Sequence, residues 1–212
     1  MMRTDDLIAR LAGEAASQPF SRGLLGAMMA VSIIVPIAAF LSVLGTRPGL
    51  LQAWSNPVVP FKTLLPLITC ALSMTLVLRL TRPEARAGVV VWAYALPLVS
   101  AVVLWGGAFA MRPPPARFAE VGVFSLAECL GSILVLAIVP VAAMLRMARR
   151  GATTSPALTA ALIGLTAATG VTTGYSLFCT RDNPLFFVTW YGVAIVIVTA
   201  VSALVGRRLL HW

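Results

Sequence analysis

Four stretches of this chain carry no charged residue: Leu24 to Thr46, Ala87 to Met111, Gly151 to Thr180 and Asn183 to Gly206. Each is longer than the ~18–20 residues that cross a hydrocarbon core. Without water, a backbone of that length satisfies its own N–H and C=O groups only as a helix or a closed barrel. The alternating ten-residue segments of a membrane barrel are absent, which leaves helices. Composition agrees: 59% of the 212 residues are hydrophobic and the mean hydropathy is +0.94, against roughly 45–50% apolar residues in a soluble domain.

The predicted fold is therefore an all-α membrane protein with six transmembrane helices, at about 24–44, 61–80, 87–110, 122–145, 156–178 and 185–205. Lys62 sits at the edge of the second span, where its long stem snorkels to the interface. Eleven Lys and Arg residues fall on one side of this arrangement and five on the other. The positive-inside rule then puts both termini of a multi-pass membrane protein in the cytoplasm. The +9 net charge reads as topology. The arginines are dealt out loop by loop, so no direct nucleic-acid partner is expected. Three parts follow: a cytoplasmic N-terminal segment (1–22), a six-helix transmembrane domain (23–206) and a cytoplasmic tail (207–212).

The connectors are short. Residues 45–60 form the longest, residues 112–120 (RPPPARFAE) read as a stiff polyproline connector, and residues 179–184 (CTRDNP) make a tight turn. No soluble catalytic domain fits. A phosphate-cradling loop, a nucleophile elbow and a metalloprotease helix are all missing, so no enzyme and no cofactor are expected. Ionisable residues within the membrane mark function by default. Here only Glu128 qualifies, and no buried lysine is expected. That scarcity argues against a proton-coupled transporter, although a small transporter subunit remains the competing class. A membrane thiol oxidoreductase would call for a CxxC pair, which the chain lacks.

In the fifth span Ala160, Gly164 and Ala168 recur every four residues, as do Thr166, Gly170 and Gly174. These stripes suit close helix packing or, alternatively, a path lined by Thr hydroxyls. Pro36, Pro66, Pro97 and Pro140 fall inside the first four spans as kinks, structural or gating.

Cys70 lies mid-span and reads as a small hydrophobe. Cys129 and Cys179 both fall near the outer, oxidising surface. They form a disulfide, bind a soft metal ion as thiolates, or are unrelated. Glu128 and Asp182 are the nearest oxygen ligands, but a closed zinc site lacks histidines. Asp182 also fits a plain turn residue.

In the N-terminal segment Thr4 caps a short helix with Asp5 and Asp6 in its first turn. Leu7, Ile8 and Leu11 share one face, and Arg10 and Glu14 pair on the other. The apolar face seeks the lipid surface, the bundle, or a groove on a soluble cytoplasmic protein.

The segments MRTDDLIARLAGEA near the start and YSLFCTRDNPLFFVTWYG ahead of the last span, with six spans in all, resemble the NrsF-like family of bacterial membrane anti-sigma factors (negative regulators of sigma F). The resemblance implies that the N-terminal segment holds an extracytoplasmic-function sigma factor at the membrane, with contacts around Asp5, Asp6, Leu7, Ile8 and Leu11. It implies that Cys129 and Cys179 are the periplasmic-side cysteines tied to sigma release under heavy-metal or thiol-directed stress, a transient heavy-metal ion being a second partner. Family members often carry His before the second cysteine. Phe178 stands there in this chain, which removes one metal ligand.

Overall fold

The computed structural model describes residues 22–80, 88, 90–119, 121–149 and 155–210. Among them no strand occurs, and six helices are long and apolar enough to cross a membrane. We label them α1 (Arg22–Leu44), α2 (Val58–Leu80), α3 (Ala95–Met111), α4 (Val123–Ala148), α5 (Pro156–Ser176) and α6 (Pro184–Leu209). Successive spans alternate in direction. The connectors at 45–57, 112–122 and 177–183 thus gather at one end, here the cysteine end. Arg79, Arg146, Arg149, Arg207 and Arg208 gather at the other, the arginine end.

Several boundaries differ from the sequence expectation, each for a local reason. α2 starts at Val58, not 61. The side chain of Asn56 accepts from the Val58 N–H at 3.1 Å, and Pro60 is harmless in a first turn whose N–H groups need no helical partner. Lys62 consequently lies inside the helix. The third span is broken: a single turn, Val90–Ala93, precedes α3. Pro97 offers no N–H and its ring clashes with the carbonyl four residues back, which is Ala93. The polyproline connector is extended at Arg112 (φ −93°, ψ 136°) and Pro113 (φ −63°, ψ 149°). Pro114 and Pro115 open a helical turn, Pro114–Arg117, since Pro suits the first turn of a helix. α6 runs to Leu209, beyond the expected 205, and its last turn carries Arg207 and Arg208.

α5 is the axis of the bundle. Its most apolar window is 72% buried, against 6% for the third span, which leaves α3 at the periphery. Between helices in lipid the hydrophobic drive is weak, so close van der Waals packing and interhelical hydrogen bonds hold them together. The two small-residue stripes of α5 serve different neighbours. Gly164 faces α6, where an added Cβ would fall 2.5 Å from Ser202 Cβ and 3.0 Å from the backbone of Thr199. Gly170 and Gly174 face Ile33 and Ile37 of α1. The hydroxyls of Thr166, Thr169, Thr172 and Thr173 donate to carbonyls of their own helix. Three of these residues are fully buried and the fourth partly. They line no path.

Candidate functional site

The loop after α5 is where the chain's polar chemistry converges. Backbone N–H groups of Leu177, Phe178 and Cys179 bond back to Gly174 and Tyr175. This turn folds Cys179 inward, and the residue is 5% exposed. Asn183 then starts α6: its side chain accepts from the Leu185 N–H at 3.1 Å, with Pro184 at the first helical position. Its Nδ2 donates to the Arg117 carbonyl at 3.1 Å, which ties the α3–α4 connector to the same loop.

Lys62 contradicts the expected snorkelling, and with it the expected absence of a buried lysine. It is 1% exposed. Its ammonium donates to the carbonyls of Cys179 and Arg181, both at 2.7 Å, and reaches Asp182 Oδ1 at 3.3 Å. Three protons meet three acceptors. A buried charge is tolerated only when paired and hydrogen-bonded, and this loop supplies both conditions. Snorkelling fails because the ammonium finds its partners toward the bundle interior.

Arg47, from the α1–α2 connector, reinforces the knot. Its Nη1 lies 2.7 Å from Asp182 Oδ1 and 3.5 Å from the Cys179 carbonyl, and its backbone N–H donates to Leu177 O at 3.0 Å. Hydrogen bonding to Asp182, opposed by burial, holds the Arg47 guanidinium above the usual arginine range. A raised value means that this contribution is complete through the neutral range and is lost only in strong alkali. Asp182 is thus more than a turn residue: one carboxylate serves two cations.

The structure brings Cys129 and Cys179 into one hydrophobic core, both as free thiols. Cys129 lies in the second turn of α4 and is 1% exposed. Tyr175 neighbours both thiols, and Tyr191 neighbours Cys179. The Tyr191 hydroxyl is buried, yet it makes no hydrogen bond among the described residues. The two tyrosine rings meet edge-on at 6.0 Å. Phe178 packs edge-on against Phe40 at 5.2 Å.

Glu128 does not join this group: it is exposed, while its neighbour Cys129 points inward. Asp182 is engaged by Arg47 and Lys62. Among the described residues no three His, Cys, Asp or Glu side chains come together to hold a metal ion. Cys70 stands apart, its thiol directed at Thr166 O at 3.4 Å. Asp5, Asp6, Leu7, Ile8 and Leu11 lie outside the described residues.

Sequence reasoning missed Lys62, Arg47 and the tyrosine pair as parts of this site. One signal was available: Lys62 is the chain's single lysine among fifteen arginines. A compact ammonium directs donors to three separate acceptors, whereas a guanidinium presents a flat fork. The Arg47–Asp182 pairing, 135 residues apart, left no local trace.

Comparison with known proteins matches residues 9–212 to a family model described as negative regulator of sigma F. A protein of Azospira oryzae, named Probable anti-sigma-F factor NrsF, is 29% identical over 219 residues, covering all of both chains. No solved structure matches the chain.

Proposed function

The chain belongs to the NrsF family, the negative regulators of sigma F, and on that premise we propose that it is a membrane-bound anti-sigma factor that works by sequestration, without catalysis. The sigma factor is of the extracytoplasmic-function type and is held at the inner face of the bacterial inner membrane. Residues 1–22 form the holding segment: Leu7, Ile8 and Leu11 bury against the sigma factor while Asp5 and Asp6 meet basic groups on it. Cys129 and Cys179 face the periplasmic side, where a heavy-metal ion or a thiol oxidant engages them and releases the sigma factor.

The observation that carries this reading is the family match over 9–212. The geometry supports its sensing half. Both thiols lie in the bundle core with Tyr175 as a common neighbour, and the backbone of Cys179 is bonded at both its N–H and its C=O. Chemistry at that sulfur therefore acts on a tied backbone. A change of ~1–3 kcal/mol in sigma affinity is the ordinary scale of such coupling.

The test is sigma-dependent transcription with and without Cd2+ or diamide. Replacing Cys129 and Cys179 together by Ser should abolish induction while leaving basal repression intact; undiminished induction rejects the sensing role. Replacing Leu7 and Leu11 by Asp should free the sigma factor without any stimulus. If it stays with the membrane fraction, the holding role is rejected.

A further inference from the structure

We propose that Lys62 is the positioning residue that carries chemistry at Cys179 into the helices. This rests on the reading of Cys179 as a sensing residue and adds what receives its signal. The ammonium grips the carbonyl of Cys179 itself, the carbonyl of Arg181 and the Asp182 carboxylate. The Cys179 N–H is held from below by Tyr175 O at 3.1 Å. A substituent on the sulfur that turns this backbone moves a carbonyl bound to Lys62. The loop then either strips a buried cation of an acceptor or takes α2 with it.

Burial makes the first outcome unfavourable. At 1% exposure the ammonium is shielded from bulk solvent, and an uncompensated buried charge is strongly destabilising. Movement of α2 is the remaining response. α2 is joined to α5 below the clamp, by Thr63 Oγ1 and Ser176 Oγ at 2.8 Å and by Cys70 Sγ to Thr166 O at 3.4 Å. It ends at Arg79 and Leu80 at the arginine end. A hydrophobic residue at position 62 would remove the buried charge but leave two carbonyls and a carboxylate without this donor. The clamp instead fixes one loop position relative to one helix.

The experiment uses the full chain, purified in detergent, with Cys70→Ser and Cys129→Ser so that N-ethylmaleimide reacts at Cys179 alone. Amide hydrogen exchange is followed with and without the label. With Lys62 present, labelling should change exchange at residues 74–80, the far end of α2, by about 5-fold or more, the low end of ordinary couplings. With Lys62→Met, labelling should still go to completion, while the change stays within 177–183 and under about 2-fold at 74–80.

Thr63→Val, which loosens the α2–α5 pair without touching the loop, should keep the far-end response. A merely structural role for Lys62 predicts that Thr63→Val and Lys62→Met behave alike. An equal far-end change with Lys62→Met, or no far-end change with Lys62 present, overturns the proposal. If Lys62→Met does not accumulate in the membrane, Asp182→Asn is read instead: its far-end response should fall by at least half, and a full response overturns the proposal. Because exchange is read without a sigma factor, a far-end change accompanied by no effect on transcription would count against the sigma-release reading and leave the Lys62 coupling standing.

Discussion

At the end that holds Cys179, two connectors and a helix are lashed to one loop: the α1–α2 connector through Arg47, the first turns of α2 through Lys62, and the α3–α4 connector through Asn183 and Arg117 O. At the end that holds Arg146 and Arg208, the helices meet by packing and by a bond from Ser202 Oγ to Ala160 O at 2.7 Å. Among the described residues, none of Arg79, Arg146, Arg149, Arg207 and Arg208 is bonded or ion-paired through its side chain. A cross-tied end converts a local change into a displacement of several elements. Arginines unpaired with any described residue leave their charge available to lipid phosphates or to an acidic partner. The difference suits a body that reads a signal at one face and acts at the other.

The comparison breaks most readily at Asp182. Asp182→Leu leaves Lys62 and Arg47 without their carboxylate; breaking a buried pair typically costs ~3–5 kcal/mol. The Asp182 side chain is 24% exposed, so the lower end, about 3 kcal/mol, is expected here. It should appear as a lower thermal unfolding midpoint in detergent. An unchanged midpoint would mean that the carboxylate does not hold this end together.

A smaller effect is expected at Asn183. Asn183→Ala removes the cap of α6 and the tie to Arg117 O, which together amount to about 1–2 kcal/mol. Faster proteolysis of the 112–122 connector should accompany it, and equal cleavage of both proteins would contradict the tie. The smallest effect belongs to the arginine end. Replacing Arg146 and Arg149 together by Gln should leave the midpoint within about 0.5 kcal/mol of the parent, as for surface changes away from structural ties. A loss as large as that of Asp182→Leu would erase the contrast between the ends.

The spans were legible because their signal is long and local. A run such as Asn183 to Gly206 announces a helix whatever surrounds it, and the packing role of the fifth span follows from the spacing of Gly164, Gly170 and Gly174. The nearness of Cys129 and Cys179 to one end follows from counting residues along two spans. That Cys179 turns inward does not follow, because the turn depends on Leu177, Phe178 and Cys179 bonding back to α5. The partner of Asp182 was illegible for a different reason. A turn residue and a charge partner have the same local sequence, and only the fold brings Arg47 to within 2.7 Å. Lys62 was visible as an oddity but was assigned to the surface, since a long stem permits either direction.

Sequence by itself determined the class of this protein, the number of its spans, its family and the side on which its arginines accumulate. Those properties depend on hydrophobic length, on charge counted loop by loop and on motifs contiguous in the chain. Tertiary structure alone decided that a lysine faces inward, that one carboxylate serves two cations, and that the carbonyl of a cysteine is the point they grasp. Such pairings join residues more than a hundred positions apart, and the energy of a buried charge depends on what surrounds it in space, not on what precedes it in the chain.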